Sequence, residues 1–205
     1  MQKLSHSYST LFIDIGGVLL TNGWDRESRD EAIKIFHLDK EETDARHALA
    51  FDMYEQGKVS LDVYLDLLVF YKPRTFSKED FKTFMFSQSK PFPEMLELIK
   101  SFKNRFQLKV VAVSNEGREL MLHRIHAFKL KDVIDFFVCS GFVRLRKPDP
   151  AIFHMAIDLA QTDPRHGIYI DDRLMLVEVA ETFGLKGIHH TNCESTKQLL
   201  SHLLS

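Results

Sequence analysis

The sequence predicts an α/β fold, a doubly wound, Rossmann-like parallel sheet with an all-helical segment inserted after its first strand. Three observations carry this expectation. Short apolar runs at 11–15, 108–113, 136–139, 167–170 and 187–189 include several with continuous rather than alternating hydrophobicity, the pattern of strands buried on both faces. Helix-period segments separate the later runs, so strand and helix alternate. Residues 22–92 break the alternation, because they hold helical patterns and no convincing strand.

The first strand, 11–15, leads into Gly16 and Gly17 and then the insertion. Within the insertion, Leu61, Tyr64, Leu65 and Leu68 form one apolar face after the N-cap residue Ser60. Phe81, Phe84 and Met85 form another after Ser77, with Asp80 three residues on, the spacing of a capping box. Thr21, Asn22 and Gly23 mark one linker, and Lys90, Pro91, Phe92 and Pro93 the other. The domains read as 1–21 with 93–205 for the core and 22–92 for the insertion, whose two ends leave the carboxyl side of the sheet, where open α/β folds bind ligands. A lid over that side is the expected arrangement. The later helices are 93–106, with apolar Met95, Leu96, Leu98, Ile99 and Phe102; 118–128; 150–160; and 174–183, stopped by Gly184.

Composition narrows the function. At 205 residues, 44% hydrophobic, 27% charged and a formal net charge of -2, the chain is long enough for a real core and is neither disordered nor low in complexity. Its one dense basic cluster, Arg144, Arg146 and Lys147, is too short for a nucleic-acid stripe. Two cysteines make at most one disulfide. There is no charged-then-apolar leader and no apolar run of about 18 residues, so a cytoplasmic location is expected, with no membrane and no nucleic acid as partner.

Four places at or just beyond strand ends carry chemistry. Asp14 precedes Gly16 and Gly17, where the backbone can turn sharply with its amides and carbonyls close to a ligand. Ser114 and Asn115 end the second strand ahead of a helix, a natural anion site. Lys147 sits before Pro148, Asp149 and Pro150, where Asp149 caps a helix and prolines hold the lysine in place. Asp171 and Asp172 are adjacent carboxylates at a strand end, whose repulsion calls for a cation or donors, and oxygen-only ligands suit magnesium. Singly, each has an ordinary structural explanation: a turn, an N-cap, a solvated lysine, an N-cap with a solvated neighbour. Their conjunction in this order is what points to a site.

In the segments LFIDIGGVL (11–19), VAVSN (111–115), KPDPAIF (147–153) and IYIDD (168–172), the sequence resembles the haloacid dehalogenase superfamily over nearly its whole length. YEQGKVS at 54–60 stands where that family's helical cap has its helix-turn-helix joint. The resemblance implies a magnesium-dependent phosphatase acting on a small phosphorylated metabolite. Asp14 would be the nucleophile forming an aspartyl-phosphate; Ser114 and Lys147 would hold phosphate oxygens, with Asn115 and Gly17 also on the substrate. Magnesium would be bound by Asp14, the carbonyl of Gly16 and Asp172, with Asp171 direct or through water.

Two positions depart from the family pattern. Most phosphatases of the family place a second Asp two residues after the nucleophile, on the same side of the chain, and this chain has Gly16. The loss favours esters with easily expelled leaving groups, in line with the resemblance to a sugar 1-phosphate phosphatase subgroup, or else recruits an acid from the cap, for which Asp52 and Glu55 are candidates. The second departure is Leu176, where relatives often carry Asn, which weakens the support of the metal site. A 2-haloacid dehalogenase would use the same Asp14 without metal, but Asp171 and Asp172 would repel its carboxylate substrate. A non-catalytic phosphate binder is the other alternative. Trp24, Asp25 and Arg26 either line the pocket or start a helix, and His189 and His190 are expected at the surface or rim.

Overall fold

In a computed structural model, which describes residues 8–205, five strands form one parallel sheet in the order β3-β2-β1-β4-β5. In chain order the elements are β1 (Thr10–Ile13), α1 (Arg26–Ile35), α2 (Lys40–Glu55), α3 (Leu61–Leu68), α4 (Lys78–Ser87), α5 (Pro93–Phe106), β2 (Lys109–Ser114) and α6 (Arg118–Ala127). There follow β3 (Phe136–Cys139), α7 (Ser140–Val143), α8 (Pro150–Ala160), β4 (Gly167–Asp171), α9 (Leu174–Thr182), β5 (Lys186–His189) and α10 (Cys193–Leu204). The doubly wound expectation holds. Successive residues of each central strand enter different cores, which is why the runs are continuously apolar. Leu11, Ile13, Val110, Ala112, Ile168 and Ile170 pack with Met95, Ile99, Met121, Ile125 and Leu200 on one face. Phe12, Val111, Val113 and Tyr169 pack with Ile152, Phe153, Val177 and Ala180 on the other. At roughly 1.5–3 kcal/mol per buried large aliphatic side chain, these two layers hold the strand ends rigidly.

The chain winds outward from β1 to β2 and β3, then returns to the other side of β1 for β4 and β5. Adjacent parallel strands with opposite winding leave a crevice at their carboxyl ends, here between β1 and β4. Ile13 lies opposite both Ala112 of β2 and Ile170 of β4, so the loops after β1, β2 and β4 leave the sheet side by side.

Helices α1 to α4 follow β1 and share a core of their own, including Trp24, Ile33, Tyr54, Tyr64, Leu65, Phe81 and Met85. Ser60 caps α3, and Ser77 with Asp80 forms the capping box of α4. The chain enters and leaves this segment through paired backbone: Thr21 N donates to Lys90 O at 2.9 Å, and Lys90 N to Thr21 Oγ1 at 3.0 Å. Differences from expectation are local. β1 stops at Ile13, although Asp14 N still donates to Ile170 O at 2.9 Å. α6 begins at Arg118, where the sequence placed it, so three loop residues separate Ser114 from the helix. His190 is buried, its Nδ1 2.8 Å from Thr196 Oγ1, because it follows β5 inward onto α10. Among the described residues no helix is long and apolar enough to cross a membrane.

Candidate active site

Asp14, Ser114, Lys147, Asp171 and Asp172 meet at the carboxyl end of the sheet. Asp14 is buried just past β1, with one carboxylate oxygen accepting from its neighbour's amide, Ile15 N, at 2.7 Å. Its other oxygen lies 3.0 Å from Lys147 Nζ, and the neighbouring Ser114 hydroxyl also favours its ionised form. Lys147 is only 2% exposed and reaches Asp171 Oδ2 at 2.7 Å as well. Asp171 accepts further from Tyr169 Oη at 2.6 Å and Arg173 N at 2.9 Å. Its lone pairs are thus well occupied by protein donors. Asp172 is different: its Oδ1 is buried with no hydrogen-bond partner.

Asp14, Asp171 and Asp172 each offer a ligand oxygen, all within 4.8 Å of one another. Three carboxylates around one ammonium make the cluster net negative. Burial therefore holds Asp14 above the usual carboxylate range against the pull of Lys147, and Asp171 adds to the rise. Burial, then Asp14 and Asp171, push Asp172 up to about 6. Burial alone would lower Lys147, but Asp14 and Asp171 outweigh it and raise the ammonium above its ordinary value. An all-oxygen donor set with one orphaned buried oxygen fits a hard divalent cation such as magnesium.

A haloacid dehalogenase-like hydrolase family model matches residues 8–184. The chain belongs to this family. A segment of 65 residues is 40% identical to haloacid dehalogenase-like hydrolase domain-containing protein 3 from Bos taurus, covering 32% of this chain and 26% of that relative. Among solved structures, a haloacid dehalogenase family enzyme from Bacteroides thetaiotaomicron superposes with a TM-score of 0.78 at 23% identity, over 90% of this chain and 94% of that one. The same enzyme in complex with magnesium and inorganic phosphate gives 0.76 at 23% identity over the same shares. An L-2-haloacid dehalogenase superposes with a TM-score of 0.61 at 19% identity, over 88% of this chain and 82% of that one. These last three likenesses establish the shared fold.

The candidate site opens into a cavity of about 300 Å³, lined at its base by Asp14, Gly16, Ser114, Asn115, Glu116 and Lys147. From the insertion, Trp24, Arg26, Arg29, His47, Phe51 and Glu55 form its opposite wall. Trp24, Asp25 and Arg26 fulfil both readings: they line the cavity, and Asp25 caps α1 by accepting from Ser28 N at 2.9 Å.

Two expected substrate ligands also have partners within the protein. Asn115 clamps the backbone of Lys147, accepting from its amide at 2.8 Å and donating to its carbonyl at 2.9 Å, so it positions the lysine. Gly17 donates its amide to Leu20 O at 2.7 Å and not toward the cavity. Its φ of +74° and the collision that a Cβ would make with the Asp172 carboxylate explain why glycine stands there. Asp52 and Glu55 both pair with Arg146, Glu55 at 2.8 Å from Nη2; Asp52 is exposed, and only Glu55 lines the cavity. Glu116, Arg29, His47 and Phe51 were not singled out by sequence reasoning. For Glu116 a signal exists: it stands two residues past the end of β2, in the loop beside Gly16.

Proposed function

We propose that the chain is a magnesium-dependent phosphatase that hydrolyses a small phosphate monoester, a sugar phosphate being the leading candidate, through an aspartyl-phosphate on Asp14. The observation that carries this reading is the orphaned Asp172 oxygen in a cluster with Asp14 and Asp171, a cation site built around a nucleophile. The complex of the Bacteroides thetaiotaomicron relative with magnesium and phosphate supports it. Asp14, Asp172 and the Gly16 carbonyl would hold the ion, with Asp171 behind them joined to Lys147. The bound ion would supply the charge that lets an anionic nucleophile approach an anionic ester.

The chain's own groups do the rest. Asp14 attacks phosphorus, forming an O–P bond as the ester P–O bond breaks. Lys147 stabilises the ionised form of Asp14, and with the Ser114 hydroxyl it holds phosphoryl oxygens. Water then attacks the aspartyl-phosphate, releasing phosphate and regenerating the carboxylate. The insertion, residues 22–92, acts as a cap over the carboxyl end of the sheet, its wall of Arg26, Arg29 and aromatic rings facing the substrate. A cavity of this volume lies at the small end of ligand pockets. The net-negative cluster argues against a 2-haloacid dehalogenase, because its substrate carboxylate would face uncompensated like charge.

The test is phosphate release from esters graded by leaving-group acidity, alongside a 2-haloacid, with magnesium or chelator. Magnesium-dependent release that disappears in Asp14→Asn is expected. Halide release without metal, or phosphate release that survives Asp14→Asn, would overturn the proposal.

A further inference from the structure

We propose that Glu116 is the proton donor to the departing oxygen, the carboxyl that Gly16 does not provide, supplied instead from the loop of the neighbouring strand. This rests on the phosphatase reading. An ideal Cβ at residue 16 would lie 3.0 Å from Asn22 Oδ1 and 3.9 Å from Arg124 Nη1. The same Nη1 holds Glu116 Oε2 at 2.6 Å. A guanidinium thus stands beside the place of the missing carboxyl and carries another carboxyl on it.

Glu116 lines the cavity with Asp14 and Gly16 and is otherwise buried, 7% exposed. Its backbone is fixed on both sides, with its amide donating to Ser140 Oγ at 2.8 Å and its carbonyl accepting from Gly141 N at 3.0 Å. Arg124 is fixed equally well: Nε donates to Ser89 Oγ at 3.0 Å and Nη2 to Thr21 O at 2.9 Å. A buried ion pair is a poor way to gain stability, since apolar groups of the same volume serve as well or better. A rigid carboxyl at the wall of a reactive cavity has a chemical use.

The charged and titratable groups around Glu116 act in opposite directions. Burial pushes it up to about 7; Arg124 opposes the rise, Glu55 and Asp14 add to it, and the Gly117 amide lowers it. Tyr54 on α2 and Cys139 on β3 feel its charge in turn, although burial is the main reason both are raised. Near neutrality Glu116 therefore holds and releases a proton, as a general acid must. As the P–O bond breaks, its electron pair goes to the leaving oxygen, which takes the Glu116 proton. The resulting carboxylate, paired with Arg124, then takes a proton from the water that attacks the aspartyl-phosphate. The net reaction is ester plus water to alcohol plus phosphate.

The experiment compares kcat/KM, which reports formation of the phosphoenzyme, for a primary alkyl phosphate and for 4-nitrophenyl phosphate. In Glu116→Gln the alkyl ester should lose about 100-fold or more, while the aryl ester, whose leaving group needs no proton, changes by less than about threefold. Equal losses on both esters, or none on either, would overturn the assignment, as would a selective alkyl loss in Glu55→Gln instead. Asp14→Asn separates the two levels: if it retains turnover, the phosphatase reading itself fails. Should Glu116→Gln not fold because Arg124 is left unpaired, the wild-type enzyme gives the answer. Its alkyl-to-aryl ratio of kcat/KM should fall as pH rises through about 7, and a flat ratio from about pH 5.5 to about 8.5 would sink the idea.

Discussion

Lys147 is the residue on which the site's charge balance turns, lying 3.0 Å from Asp14 and 2.7 Å from Asp171 with almost no solvent contact. Lys147→Ala leaves the three carboxylates facing one another with no protein cation between them. Removing one partner of a buried charge group costs about 3–5 kcal/mol, so its Tm in chelator should drop sharply. Magnesium should restore more stability to this variant than to the wild type, because it replaces part of the missing charge, while turnover stays lost. An equal magnesium response in the two proteins would show that lysine and metal do not share the same carboxylates. Arginine is not an equivalent replacement, since a planar fork cannot fill the space of a compact ammonium. Lys147, Asp14, Ser114 and the acid pair were legible in the sequence because unusual side chains ended apolar strands. The work of Asn115 and Gly17 was not, because which polar group a side chain engages depends on neighbours distant in sequence: Asn115 turns to Lys147, and Gly17 yields space to Asp172. Arg124 escaped notice for the same reason; on a helix it reads as surface, yet its partners Thr21, Ser89 and Glu116 bury it completely.

At the scale of elements, the contact between α2 and the sheet core decides how well the two walls of the cavity are aligned. Ser140, at the corner from β3 into α7, donates to Glu55 O at 2.7 Å and accepts from Glu116 N at 2.8 Å. One hydroxyl thus joins the end of α2 to the loop after β2. Ser140→Ala leaves a buried carbonyl and a buried amide without this partner, a loss of about 1–3 kcal/mol. A lower Tm and a raised KM for the ester are expected together, as Glu55 and its neighbours drift from the opposite wall. A Tm loss with unaltered KM would show that the contact serves stability alone. The five strands were visible in the sequence as apolar runs, and α3 and α4 through their caps. Helix α2 was not, because its buried positions Thr43, Ala50, Tyr54 and Glu55 include few of the large aliphatics that mark an amphipathic face. The start of α6 at Arg118 was legible; what the loop before it does was not, because the burial of Glu116 depends on Arg124 and Ser140.

For the whole molecule, the carboxyl cluster links folding, pH and metal. Asp172 at about 6 and Glu116 at about 7 both stand above their ordinary values, and Asp14 is raised as well. A carboxyl raised by folding means that the folded state binds more protons than the unfolded one. The stability it contributes is then fully present below its unfolded pKa, near 4, and is lost as pH rises through the folded value. In chelator these groups make the fold weaker at pH 8 than at pH 5. His47 runs the other way, pushed down to about 4 by burial and by Arg29, and it costs stability below its ordinary pKa, so Tm against pH in chelator alone mixes the two. The difference between magnesium and chelator removes His47, which is not part of the cluster. At magnesium a hundredfold above its Kd the gain is about 2.7 kcal/mol, equivalent to a Tm rise of about 5–10 °C for a chain of this size. That rise should appear in full at about pH 8 and shrink toward pH 5, because below about 6 a proton on Asp172 competes with the ion. Asp172→Asn should remove the magnesium gain at pH 8 while raising the Tm in chelator, since a neutral amide relieves the repulsion that the ion otherwise offsets. A magnesium gain that is unchanged at pH 5, or that survives Asp172→Asn, would place the ion elsewhere than among these carboxylates.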